Sequence, residues 1–231
     1  MFEFNAESGE VYLYDGIGPE YFGFIDSGTM IRALSQIKGR ATVRINSPGG
    51  SVDEAIAIYG AMKRHPGGVD VVIDSVAASA ASFIALAGER ITIAQGGAMM
   101  IHSPMFGAIF YANARDLRKY ADELDVHEDR VVGFYADRMK KDKDEVKELL
   151  AAETWYTAEQ AVEAGLADAV GDVSAVPTAM PEDMLRRAPE SIRIAAVAAQ
   201  AGSRTPYPIQ RIRAGMLLSR AKTLDTLSPK G

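Results

Sequence analysis

Val69–Gly88, VDVVIDSVAASAASFIALAG, decides how this chain is read. Val69, Val71, Val72 and Ile73 predict a buried β-strand, a turn of very small residues follows, and an apolar segment from Ser79 to Leu86 stops at Gly88. That is strand, tight turn, helix. The alanines at 77, 78, 80 and 81 leave the Ser79 hydroxyl uncrowded where a helix begins. Free backbone N–H groups and the positive end of the helix dipole favour developing negative charge at such a place. Two readings of Ser79 stand open here, a nucleophile or a helix cap.

Towards the N-terminus the pattern alternates strand and helix. Val11–Tyr14 reads as a short strand, a helix begins at Asp26–Ser27 and runs through Ile31 and Leu34 to Gly39, and Ala41–Ile45 is the next strand. It leads into Asn46-Ser47-Pro48-Gly49-Gly50, after which Ser51 and Glu54 have capping-box spacing ahead of Val52, Ala55, Ile56, Ile58, Tyr59 and Met62. Pro66 stops that helix. Paired glycines before a helix let the backbone approach a ligand and turn N–H groups outward. The spacing and lysine of a phosphate-binding loop are missing.

Towards the C-terminus, Ile91–Ala94 and Ala98–Ile101 read as strands, and His102 follows the second directly. Of the three histidines, His65 lies in a Lys-Arg-His-Pro turn and His127 in a charged helix, so both read as solvated. His102 stands at the C-terminal end of a buried strand, where α/β sheets usually carry their chemistry, although a satisfied core histidine would look the same. From Asn113 a long helical pattern runs through Leu117, Leu124, Val131, Phe134, Tyr135 and Met139. A second charged helix, Asp144–Ala152, leads to Glu153-Thr154-Trp155-Tyr156. Thr157 and Gln160 again have capping-box spacing for a short helix that Gly165 ends, with Asp168 beyond it.

Composition bounds the rest. The 231 residues, 48% hydrophobic and 24% charged, suit one domain with an extension. There are no cysteines, and no metal-ligand spacing such as H-E-x-x-H occurs, so neither metal nor cofactor is expected. The opening MFEFNAESGE lacks a signal peptide's basic and apolar regions, and no 18-residue apolar run exists, so a cytoplasmic protein with no membrane partner is expected. Residues 174–231 carry nine Lys and Arg against four acids, a net +5 that leaves −11 for residues 1–173, and they hold six of the ten prolines. This places a domain boundary near Val173–Pro177, with a basic, proline-rich tail beyond it. No aromatic interleaving accompanies the basic residues, so nucleic acid is not expected as a partner.

Taken together, Ile45-Asn46-Ser47-Pro48-Gly49-Gly50, Ala77-Ala78-Ser79, Met100-Ile101-His102-Ser103-Pro104, Tyr156-Thr157-Ala158-Glu159-Gln160-Ala161 and Gly165-Leu166 resemble, in order and spacing, the proteolytic subunit of the Clp protease. The resemblance spans roughly residues 10 to 172. The brief amino-terminal region, the AAS-AAS serine segment and the Glu-Thr-Trp-Tyr-Thr-Ala-Glu run look more like the phage and prophage branch, the Clp-like head maturation proteases, than the housekeeping enzyme. It implies an α/β crotonase-like spiral of β-β-α units, residues 1–173, with the helix after Asn113 protruding as a handle. It also implies a serine endopeptidase acting on polypeptides, with capsid or scaffold proteins as substrates in a phage-infected cell, and rings of subunits stacked through the handles.

Residue by residue, the resemblance places the nucleophile at Ser79, the general base at His102 and the oxyanion-hole N–H groups at Gly50 and Ala80. The family's aspartate aligns with Glu153, and Asp168 is the fallback third member. The chain departs from the family at Ser75 and at Ala80-Ala81, where Gly and Met-Gly are usual, so the wall of the specificity pocket should differ. The short amino-terminal segment leaves docking to an unfoldase ATPase doubtful. Two other classes stay open: an acyl-CoA enzyme of the same superfold, using the Gly50 and Ala80 N–H groups on a thioester enolate, and a non-catalytic scaffold. A Ser-Lys peptidase is disfavoured because no lysine lies near the serine segment. The tail is expected to add little to assembly.

Overall fold

The strand that starts at Val69 does not end at Ile73. In the computed structural model, which describes residues 2–107, 111–174, 182–188, 190 and 193, it runs to Ala78, directly against Ser79. The expected turn of small residues is therefore strand. Their size is the reason: from Ile73 onward, in and out no longer alternate, and Asp74 to Ala78 are all buried. A strand covered on both faces loses the alternation of buried and exposed residues, and here mostly small side chains fill the two covered faces.

The described residues form one eight-stranded sheet: β1 (Phe2–Asn5), β2 (Glu10–Leu13), β3 (Ala41–Ser47), β4 (Val69–Ala78), β5 (Ile91–Gln95), β6 (Ala98–Ile101), β7 (Thr154–Thr157) and β8 (Ala169–Ser174). The helices are α1 (Ser27–Gln36), α2 (Val52–Lys63), α3 (Ala80–Ala85), α4 (Ala114–Met139), α5 (Lys143–Ala151), α6 (Ala158–Glu163) and α7 (Glu182–Arg187). β2, β3, β4, β5 and β8 run parallel in that order, and β1 closes one edge antiparallel to β2. β4 changes partner along its length. Val71–Ile73 pair with β5, whereas Val76–Ala78 pair with β6, which in turn pairs antiparallel with β7. On that edge the sheet thus divides at Asp74–Ser75: the C-terminal end of β4 still meets β3 where Ala77 pairs with Ser47, and on its other side it joins β6 and β7 in a small layer. The main core lies under α1 to α3 and includes Val71, Ile73 and Ala77. A second cluster, Val76, Ala78, Ala98 and Met100, covers the other face of the small layer.

Asp74, 4% exposed, sits at the division. Arg44 grips it with Nε (2.8 Å) and Nη2, and the Tyr14 hydroxyl donates to it at 2.5 Å. A nearly buried carboxylate is tolerable only when paired in this way. Burial, and then Asp74 itself, push the Tyr14 hydroxyl well above its ordinary pKa, so it remains a donor.

Helix starts follow local chemistry. Asp26 caps α1 by accepting from Thr29 N–H (2.7 Å), and Thr157 and Gln160 form both halves of the capping box at α6. The Ser51 box forms only in part. Ser51 accepts from Glu54 N–H at 3.4 Å, but the Glu54 carboxylate turns to Ser27 N–H (2.7 Å) and so ties the start of α1 to α2. His65 and His127 are half-buried rather than fully solvated, and the His65 ring meets the Gly39 carbonyl at 2.9 Å.

The long helix α4 has two halves. Val131, Val132, Tyr135, Ala136 and Met139 are buried within the chain, whereas Leu117 and Val126 are largely exposed. Phe134 stacks edge-on against Tyr59 and Phe83, with ring centres 5.0 and 5.3 Å apart. β1, β7, β8 and α7 were not expected. β1 is a short, mostly exposed edge, β7 has only four residues, the apolar pattern of β8 is broken by Gly171 and Asp172, and α7 is too short to show a period. Beyond the expected boundary, Met184 and Ala188 are buried against Val76, Ala78, Ala98 and Met100, with Trp155 alongside. That part of the C-terminal segment packs on the core. The apolar runs Ile192–Ala199 and Ile209–Leu218 lie, apart from Arg193, outside the described residues.

Candidate active site

Three elements meet at Ser79. β4 delivers it, α3 leaves from it, and its N–H donates to the Met100 carbonyl of β6 at 2.8 Å, two residues before His102. Its backbone sits at φ 53°, ψ −128°, a conformation that non-glycine residues rarely hold. The side chain makes no capping bond. Instead Ser79 Oγ lies 2.7 Å from His102 Nε2. Of the two readings of this serine, the cap is the one the geometry does not support.

The elbow is held from below. Ser82 Oγ donates to the Ser79 carbonyl (2.7 Å), which leaves Tyr135 on α4 to donate its hydroxyl to Ser82 Oγ, also at 2.7 Å. Burial pushes the Tyr135 hydroxyl far above its usual pKa, so it keeps that proton. After His102, Ser103 N–H donates to the Leu150 carbonyl (3.0 Å) and Ser103 Oγ to Glu128 (2.5 Å), fixing the strand exit. Sequence reasoning missed Ser82, Tyr135 and Glu128. A polar residue three positions after Ser79 in an otherwise apolar helix was the available signal for the first.

The Gly49-Gly50 turn lies against the serine. A Cβ on Gly49 would stand 2.5 Å from the Ala78 carbonyl oxygen and 2.8 Å from both Ala80 N and Ser79 Cβ. One on Gly50, at φ 149°, would overlap the Ile17 carbonyl. Only glycine allows this approach. Ser47, fully buried, sets the turn by donating to the Asp15 carbonyl (2.6 Å) and accepting from Gly49 N–H (3.1 Å). Neither Gly50 N–H nor Ala80 N–H donates to an acceptor among the described residues. Two unspent donors near a hydroxyl bonded to an imidazole can stabilise the oxyanion that forms on a carbonyl oxygen when that hydroxyl attacks the carbonyl carbon.

Glu153 also has a positive φ, 50°. Its carboxylate forms an ion pair with Arg187 on α7, whose Nε lies 2.8 Å away, and accepts weakly from Trp155 Nε1 (3.4 Å). No hydrogen bond joins it to His102 among the described residues, yet it acts on the ring through its charge. Burial lowers the His102 pKa, Glu153 counters by raising it, and Arg187 lowers it again. Asp168 is committed elsewhere: it accepts from Ile91 N–H and from Arg138, both at 2.7 Å, and so joins the start of β5 to the end of α4. Arg187 could not have been found from sequence, because it lies 34 residues beyond Glu153, in a stretch without periodic signal.

The profile of the Clp protease family matches residues 30–174, a span holding Ser79, His102, Glu153, Asp168, Gly50 and Ala80 but not Arg187. The chain belongs to the Clp protease family. Its relatives include the ATP-dependent Clp protease proteolytic subunit 1 of Chlamydia abortus, 32% identical over 129 residues, which are 54% of this chain and 67% of that protein. The protein of the same name from Protochlamydia amoebophila is 31% identical over 129 residues, 54% of this chain and 62% of its own length. That from Prochlorococcus marinus is 33% identical over 130 residues, 55% and 66% of the two chains. Family membership makes this protein a protease with the α/β fold of the Clp proteolytic subunit. No helix among the described residues is long and apolar enough to cross a membrane.

Proposed function

We propose that the protein is a serine endopeptidase in which Ser79 attacks the scissile carbonyl, His102 takes its proton and returns it to the leaving amine, and Glu153 stabilises the imidazolium. The observation that carries this reading is the 2.7 Å contact between Ser79 Oγ and His102 Nε2 at a strained elbow beside two unspent N–H donors. Gly50 and Ala80 would hold the oxyanion, a contribution of about 3–4 kcal/mol per donor in such sites. An acyl-CoA enzyme using only those two N–H groups has no need of that contact, and a scaffold has no need of the strain. Commitment of both Asp168 oxygens favours Glu153 as third member.

A self-associated assembly is part of the proposal. Leu117 and Val126 on the outer half of α4 are apolar and exposed in the single chain, which suits a face covered by a second copy. The form of the serine segment and the Glu153–Glu159 run support a capsid or scaffold substrate over general protein turnover. A fluorophosphonate probe followed by peptide mass spectrometry tests the chemistry. Ser79 is expected to be labelled and Ser75, Ser82 and Ser103 not, because only Ser79 has an imidazole in contact. Labelling of another serine, or of none in the native protein, overturns the assignment.

A further inference from the structure

The geometry points to Arg187 as a positioning residue that restrains the site: helix α7 holds the Glu153 carboxylate on a guanidinium and away from His102, so the serine and histidine are assembled while their third partner is diverted. This inference rests on the peptidase reading above. Arg187 Nε stands 2.8 Å from Glu153 Oε1, and the imidazole donates no hydrogen bond to that carboxylate among the described residues. A carboxylate supports this chemistry by accepting from the far nitrogen of the imidazole and offsetting the positive charge that forms on the ring. Here that negative charge is already paired with the Arg187 guanidinium, which also acts on the ring. Glu153 and Arg187 are the two charges that act on His102, and they act in opposite directions.

The contact is placed by packing rather than by the ion pair alone. Met184 and Ala188, on either side of Arg187 in sequence, are buried against Val76, Ala78, Ala98 and Met100. The seat is therefore the outer face of the same small layer that carries Ser79 and His102 on its strand ends. Among the described residues, Met184 and Ala188 supply the buried apolar surface of this seat, and the Arg187 side chain is 46% exposed against 23% for Glu153. A segment that takes no part in the strand pairing can lift without unfolding the sheet beneath it. Lifting it returns Glu153 to His102. Arg187 lies outside residues 30–174, so the restraint is added to the family domain from this chain's own C-terminal segment.

The test uses the full chain with Arg187→Gln, Arg187→Lys and Met184→Asp; the last lifts α7 without touching either ion-pair partner. Two readouts are taken: the rate at which the fluorophosphonate labels Ser79, and the NMR titration of the His102 ring, one of three histidines. Arg187→Gln and Met184→Asp are expected to label about tenfold faster, a part of the roughly 10⁴ that correct carboxylate support supplies in such triads. In both, the His102 titration moves to higher pH because the opposing charge has gone, and Arg187→Lys stays near the parent chain in both readouts. Where the parent chain is labelled, slower or unchanged labelling in Arg187→Gln overturns the restraint, and so in any case does a His102 titration that does not move. No labelling of Ser79 in any variant, with the titration still moving upward, supports the ion pair's hold on the imidazole and sinks the peptidase reading alone.

Discussion

At the scale of single residues, the two carboxylates near the C-terminal end of the domain differ in what they already do. Asp168 spends both oxygens on Ile91 N–H and Arg138, whereas Glu153 faces the imidazole's charge. Glu153→Gln is expected to lower peptide turnover by roughly a hundredfold, less than the roughly 10⁴ seen when a triad carboxylate is fully engaged, because Arg187 already balances part of its charge. Asp168→Asn should cost less than about tenfold in turnover and show first as a lower melting temperature. Steady-state kinetics and a thermal melt of each variant check this, and the reverse order would make Asp168 the third member. The sign of the pH dependence also follows. Burial lowers the His102 pKa, so the neutral base persists to lower pH, and the acid limb of kcat/KM should fall below the ordinary imidazole range. Ser79 and His102 each read as candidates at strand ends flanked by small or apolar residues, and the family resemblance is what joins them as a pair. Arg187 was not, since nothing in a linear pattern shows which distant charge a fold brings to a carboxylate.

At the scale of elements, cap residues gave helix starts within a residue or two, because a cap bonds to N–H groups two or three positions away and needs no tertiary context. What failed was anything decided by the other side of the fold. Ser75-Val76-Ala77-Ala78 reads locally as a turn, yet it is strand because β6 pairs with one edge and two apolar clusters cover both faces. Glu54 likewise has the spacing of a capping box and caps a different helix. The Gly49-Gly50 turn carries its own prediction. Gly49→Ala places a methyl 2.5 Å from the Ala78 carbonyl and 2.8 Å from Ala80 N, at φ 92°, so the turn must back away from the serine. Turnover is expected to drop by about 10² or more, with labelling of Ser79 slowed in parallel, since an oxyanion donor displaced from its position loses most of its effect. Near-normal turnover in this variant would show that the turn takes no part in the oxyanion hole.

At the scale of the whole molecule, sequence patterning gave the alternation of strands and helices across residues 10–168 but not the division of the sheet, which depends on β4 having different partners along its length. The division leaves the chemistry on a small layer braced by α4 through Tyr135 and by the C-terminal segment through Met184. Ser79 is the point where that arrangement is most contorted. Its φ of 53° and ψ of −128° suit a glycine better than any residue with a side chain, and such backbone outliers typically cost about 1–3 kcal/mol. Ser79→Gly is therefore expected to melt higher than the parent chain while being unable to form an acyl intermediate, and Ser79→Ala, which keeps the Cβ, to lose the reaction without that gain. A calorimetric scan of the two variants separates them, and a Ser79→Gly chain that melts lower would show that the turn is relaxed. The protein carries its reactive hydroxyl as a standing mechanical load, so selection for robustness alone would steadily erase its chemistry.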